Sequence, residues 1–186
     1  MQSWIWAAVG VAAASAQGLP PARMPDSIRA PADEALVLQA RGSGVQIYVC
    51  QAASDGQARW TLKAPDALLR DGKGAVIIHH YAGPTWKHED GSTVTGKAVA
   101  HADSPDPSSI PWLLVSVTAH SGTGILAHIA SVQRLHTKGG QPPAAAGCNG
   151  STLGTEARSA YSADYYFYAP ADDTHSQHGQ SPASRP

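Results

Sequence analysis

Charge is scarce in this chain, and none of it is gathered. Charged residues make up 15% of the sequence, 13 Lys and Arg against 14 Asp and Glu, for a net charge of −1. No basic stripe is present to attract nucleic acid or an anionic lipid surface, and both partners are discounted. After the first sixteen residues there is no second long apolar run, so no transmembrane helix is expected to anchor the chain. The G-x-S-x-G elbow is missing and no Ser/His/Asp order is recognisable, which leaves the common serine-hydrolase chemistry without a signature. No internal repeat is visible. Cysteine is limited to Cys50 and Cys148, and asparagine to Asn149.

What is present begins with a leader. Met1 to Ala16 reads MQSWIWAAVGVAAASA, an uncharged apolar run closed by Ala14-Ser15-Ala16, the small-x-small pattern cut by signal peptidases. The run from Trp4 to Ala14 is one signal h-region long and too short to span a bilayer. The absence of Lys or Arg before it favours a eukaryotic secretory signal. The mature chain is therefore expected to start near Gln17 and to be secreted, or periplasmic in a Gram-negative host. In an exported chain an even pair of cysteines reads as a disulfide. Closing Cys50 to Cys148 over roughly 100 residues would be worth about 4.7 kcal/mol in the simple chain-entropy model. Asn149-Gly150-Ser151 forms an N-glycosylation sequon directly after Cys148.

Segments 17–31 and 171–186 frame the folded unit. The first, with Pro20, Pro21, Pro25 and Pro31, reads as an extended lead-in, and the second as a disordered polar tail. Between them, over 32–170, apolar residues recur with period two, and Gly, Pro or Asp interrupts them every 8 to 15 residues or so. Leu36-Val37-Leu38 precedes a turn-like Arg41-Gly42-Ser43-Gly44. Val45, Ile47 and Val49 share one face of the next run. Asp55-Gly56, Asp71-Gly72 and Asp90-Gly91 mark further turns. Strands are also read at Trp112 to Thr118, Gly124 to Leu135 and Ala163 to Tyr168; in the last, Tyr165 and Phe167 face opposite to Tyr166 and Tyr168. The one helix-like stretch is a single turn at Pro65-Asp66-Ala67-Leu68-Leu69. The pattern predicts an all-β domain, a single antiparallel sandwich or barrel of about 7–9 short strands with long loops.

Gly122-Thr123-Gly124-Ile125-Leu126-Ala127 fits G-x-G-x-x-[GA] literally. A dinucleotide site would need a βαβ unit and an acidic residue about 20 positions further on. The next acidic residue is Glu156, beyond a Gly- and Pro-rich run, so a nicotinamide dehydrogenase is rejected.

The densest polar-aromatic block runs from His79 to Ser92. In an extended strand His79 and His80 point to opposite faces, so only one of them can enter a shared pocket. Tyr81 and Trp86 flank a Gly-Pro turn, and aromatic faces there could stack on sugar rings while His80 and Asp90 take the hydroxyls. His80, His88 and Asp90 could instead hold zinc or copper for a hydrolase or oxidase, although their spacing matches no established metal signature. No other cofactor is implied. Glu89 and Asp90 are adjacent and make a poor glycosidase pair.

Seven segments carry a resemblance. GVQIYVCQA, WTLKAPDALLRDGKG, HHYAGPTWKHEDGSTVTGK, IPWLLVSV, QRLHTKGGQPP, GCN and YSADYYFY resemble, in this order, a secreted fungal and bacterial family known as domain of unknown function 3455. The resemblance spans about Ala32 to Tyr168. It implies export, a single domain, and Cys50 and Cys148 at the family's cysteine positions, but no established activity. The function expected is an extracellular binding or surface-associated module for a glycan, a cell-wall component or a small molecule, met by His80, Tyr81, Trp86 and Asp90. The metal-dependent enzyme is the alternative.

Overall fold

The computed structural model describes residues 24–171. The leader, the start of the lead-in and all but the first residue of the tail lie outside them. Eight strands follow in order: β1 (Glu34–Ala52), β2 (Ala58–Arg70), β3 (Val76–Tyr81), β4 (Thr85–His88), β5 (Thr93–Ala102), β6 (Trp112–Ser121), β7 (Ser131–Gly139) and β8 (Glu156–Pro170). Each pairs antiparallel with the next, and β8 returns to pair with β1, so one sheet closes on itself as a barrel. Closure joins the first strand to the last, but the short β3 and β4 leave residues 58–66 of β2 and 97–102 of β5 paired on one side only. The all-β expectation holds, in its barrel form.

Not all of the strands are short. Arg41-Gly42-Ser43-Gly44, expected as a turn, lies inside the 19-residue β1, paired with β2 on one side and β8 on the other. Its glycines serve close approach rather than reversal. A Cβ on Gly44 would stand 2.2 Å from the Asp66 carbonyl oxygen and 2.5 Å from the Ala67 Cα. A Cβ on Gly42 would meet the Tyr165 ring at 2.6 Å. The expected helical turn at Pro65–Leu69 is also strand, part of β2. Proline cannot donate to a ladder and is tolerated beside irregularities; here the β1–β2 register slips between Ile47 and Tyr48, one pair beyond Gln46–Pro65. Of the run from Gly124 to Leu135, only Ser131 onward is strand.

Two apolar layers stabilise the ring. The barrel axis is filled by Leu69, Ile78, Trp86, Val94, Val132, Tyr165 and Phe167. The loop between β6 and β7 adds Leu126 and Ile129, both fully buried in that same cluster. Outside, Tyr166 and Tyr168 pack with Trp112, Leu135 and Ile28. The alternation read in β8 is therefore correct, and both of its faces are covered. Ile28 of the lead-in joins this layer: it is buried outright, and its carbonyl accepts a hydrogen bond from the Gln133 side chain at 2.5 Å. The Tyr168 hydroxyl donates to the Gln133 carbonyl oxygen at 2.6 Å, completing that contact.

In an up-and-down barrel, alternate connections lie at opposite ends. The β1–β2, β3–β4, β5–β6 and β7–β8 connections share one end, and the Leu126 loop plugs the other. Cys50 at the end of β1 is disulfide-bonded to Cys148 in the β7–β8 connection, so that long segment is tied down at the unplugged end. Nearby, the Trp60 indole donates to the Ala144 carbonyl at 3.3 Å.

The close contact at Gly44 is directly testable. Gly44→Ala is expected to lower the unfolding free energy by about 1–3 kcal/mol through overpacking. Gly72→Ala, where a Cβ would meet nothing within 4 Å, should leave the urea midpoint nearly unchanged.

Candidate functional site

The barrel is plugged at one end and hollow toward the other. A cavity of about 300 Å³ occupies the interior, and all eight strands contribute to its wall: Gln46, Pro65, His80, Trp86, Ala98, Val115, Arg134 and Tyr165 come from β1 to β8 in turn. Leu62, Lys63, Gly83 and Pro84 extend the lining toward the unplugged end. Gly83-Pro84, a cis peptide, forms the β3–β4 turn there.

Strand alternation decides who faces in. Val45, Ile47 and Val49 do share a face of β1, but it is the half-buried outer one. Gln46, Tyr48 and Cys50 take the buried face. Gln46 is 1% exposed, and neither its amide nitrogen nor its carbonyl oxygen has a hydrogen-bond partner. The Trp86 indole nitrogen and the Arg134 Nε are likewise buried and unpartnered. Native interiors leave very few polar atoms so, and each asks for an explanation. Four of these atoms, on three side chains, belong to residues that line one hollow and share an explanation; a fifth, the Trp112 Nε1, lies outside it.

His80 turns inward and His79 outward, as the alternation requires. The His80 ring stacks on Trp86, with centroids 4.5 Å apart and planes 6° apart, and its Nδ1 donates to the Thr85 carbonyl at 2.9 Å. Burial pushes His80 down to about 3; the Thr85 hydrogen bond opposes this, and the charges of Arg134 and His79 add to it. His80 is therefore neutral at physiological pH, with Nε2 carrying the lone pair. Tyr165 and Tyr161 join hydroxyls at 3.0 Å, and burial raises both pKa values. Arg134 donates to the Pro111 carbonyl at 2.8 Å, and its charge acts on Tyr165 to oppose that rise.

The four residues expected to bind ligand are not brought together. His80 and Trp86 are inside. Tyr81 is on the outer face with His79, their rings tilted 47° at 5.1 Å, so no exposed coplanar pair exists with Trp86. Asp90 sits in the β4–β5 turn at the plugged end and is wholly engaged. Its Oδ1 accepts from the Ser92 amide at 2.8 Å and the Ser92 hydroxyl at 2.6 Å, and its Oδ2 from the Ile125 amide at 2.8 Å. Burial works to raise the Asp90 pKa, but those hydrogen bonds and the neighbouring His88 outweigh it and hold the carboxyl below the usual carboxylate range. The Ser92 hydroxyl also accepts from the Leu126 amide at 3.2 Å. Asp90 is thus the staple of the plug. Its carboxylate lies where a Cβ on Gly124 would stand, at 2.4 Å, which gives the G-x-G-x-x-A segment its structural reason.

The expected metal set fails for the same reason. His88 pairs with Asp90 at 3.1 Å, while His80 is stacked inside on Trp86. Among the described residues no three His, Cys, Asp or Glu side chains converge as ligands. Asn149 is exposed, its side-chain oxygen accepting from the Ser151 amide at 3.0 Å. Sequence reasoning missed Gln46 and Arg134. The available signal was their place in step with buried neighbours, Arg134 being two residues from the buried Val132.

Residues 31–169 match the family model described as protein of unknown function (DUF3455). No curated protein and no solved structure matches the chain.

The state of His80 predicts a pH dependence. Between its unfolded value of 6.5 and its folded value of about 3, only the unfolded chain binds a proton at this site. Stability is therefore lost as pH falls through that window, by at most about 1.4 kcal/mol per pH unit. His80→Gln removes this contribution. Relative to wild type, the variant should gain about 2 kcal/mol between pH 7 and pH 4.5 in urea titrations. A wild-type-to-variant difference that does not change with pH would contradict the buried neutral histidine.

Proposed function

We propose that this chain, which belongs to the family of unknown function DUF3455, is an exported binding protein that holds one small molecule inside its barrel. The observation that carries the reading is the hollow itself: about 300 Å³, walled by all eight strands, with three of its lining residues carrying buried polar atoms that have no partner among the described residues. Eight strands enclose an interior that side chains can fill or one small ligand can occupy. Here the Leu126 end is filled and the other half is open. Ligand sites generally combine apolar walls with a few oriented polar groups at volumes from about 300 Å³ upward. Leu113, Val115 and Pro65 supply the walls, and Gln46, Trp86 and Arg134 the polar groups.

Export is supported by the leader pattern and by the Cys50–Cys148 bridge, a bond that persists in oxidising compartments. In a glycosylating host, Asn149 is exposed and available for modification. A small molecule fits better than a polysaccharide, because a lumen of about 300 Å³ admits a compact ligand and Tyr81 and Trp86 form no outer platform.

Titration with N-phenyl-1-naphthylamine, a neutral dye that brightens in apolar surroundings, tests the reading. Wild type should show saturable binding at one dye per chain. Ala98→Trp, which places an indole at an exposed position of the cavity wall, should abolish it while leaving the thermal midpoint close to wild type. Absence of saturable binding, or equal binding by the two proteins, would overturn the proposal.

A further inference from the structure

The donors and acceptors left unpaired on the residues that line the lumen are not balanced. The unpartnered groups are the Gln46 amide, which donates two protons and accepts through one oxygen, the Trp86 indole N–H, and the Arg134 Nε–H. Donors outnumber acceptors, and one donor belongs to a permanent cation. Arg134 has no carboxylate within ion-pair distance among the described residues; its guanidinium donates to the backbone carbonyl of Pro111. None of the residues lining the cavity is acidic. The other cation on the wall, Lys63, is already paired with Glu156. A partly buried guanidinium without a counter-ion, beside unpaired N–H groups, is an incomplete electrostatic arrangement that an anion would complete.

We propose that the lumen ligand is a small carboxylic acid with an apolar body, its carboxylate received by Arg134, the Trp86 indole N–H and the Gln46 amide. This rests on the lumen being a binding site, and goes beyond it by naming the head group. A carboxylate offers two oxygens with about four lone-pair sites, enough to accept from all three side chains, and it is the planar partner suited to a guanidinium edge. A sugar fits less well. Its hydroxyls are donors as well as acceptors, and the Trp86 face that would stack on a ring is stacked with His80. The apolar body is set by Leu62, Leu113, Val115 and Pro65, which supply the apolar part of the wall. The open end of the lumen also explains why Gln46 is polar in a position where Leu would pack: the amide is kept for the ligand, at the expense of the empty protein's stability.

The test uses two matched pairs, benzoate with benzamide and 2-naphthoate with 2-naphthamide, titrated calorimetrically into the full mature chain at pH 7. Within at least one pair the acid is expected to bind ten times more tightly than the amide, or better. Arg134→Met and Gln46→Leu should each reduce that ratio to near one. Gln46→Leu should at the same time raise the unfolding midpoint, because it removes two unsatisfied buried atoms; a variant that is more stable yet binds less well cannot be explained by misfolding. Equal affinity for acid and amide in both pairs, or a preference for the acid that Gln46→Leu leaves intact, would overturn the head-group assignment. The neutral dye separates the two claims: dye binding without acid preference removes only this inference, whereas failure of dye, acids and amides alike removes the lumen site as well.

Discussion

Closure of the ring through β1 is the constraint on which the rest of the molecule depends. β1 is the longest strand and carries both the first and the last pairing of the sheet, with β2 along one side and β8 along the other. Two glycines make this possible, because the backbone of β2 and the ring of Tyr165 come within 2.2 to 2.6 Å of where their Cβ atoms would stand. Side chains at those positions would push β2 and Tyr165 away from β1 and open the interior. With the glycines in place, Tyr165 lies against the inside of β1 and the aromatic plug assembles beyond it, Trp86 edge-on to Phe167 at 6.2 Å and stacked on His80. Edge-to-face packing of this kind adds about 0.5–1.5 kcal/mol per pair beyond the area buried.

The plug divides the barrel into a half that supplies stability and a half that is free for a ligand. On the filled side, Asp90 and Ser92 receive the amides of the β6–β7 loop and hold Leu126 and Ile129 in the core. On the open side, the disulfide and the Trp60–Ala144 hydrogen bond tie back the long β7–β8 connection. Both ends are thus fixed by interactions that do not use the lumen wall, so the polar groups of that wall can be left unpaired. Unpaired buried groups are rare in native interiors, and a ligand in the lumen would account for those on its wall.

Much of the architecture was legible in the sequence, and the site was legible only in part. Period-two apolarity and Asp-Gly turns announced antiparallel strands, and the opposite orientations of His79 and His80, and of Tyr165 and Tyr166, follow from the pleat alone. Arg41–Gly44 misled because Gly and Ser in sequence signal a turn, whereas here they answer a steric demand from β2 and β8 that only the closed ring creates. In β1 the more apolar face, Val45, Ile47 and Val49, is the natural choice for the inside; closure turns it outward and brings Gln46 in. Arg134 was passed over for the same reason, since a charged residue in a strand is read as solvated. Asp90 was noticed for its chemistry, but its role depends on Ile125, 35 residues away.

The most direct test of the central claim is where a bound ligand is felt. Indole ¹⁵N–¹H spectra of the mature protein resolve Trp86 in the lumen from Trp60 and Trp112, which lie outside it. During titration with 2-naphthoate, the Trp86 Nε1–H resonance is predicted to shift and saturate at one equivalent, with Trp60 and Trp112 nearly still. Saturable binding that moves Trp60 or Trp112 and leaves Trp86 in place would contradict the account, because the ligand would then sit outside the barrel.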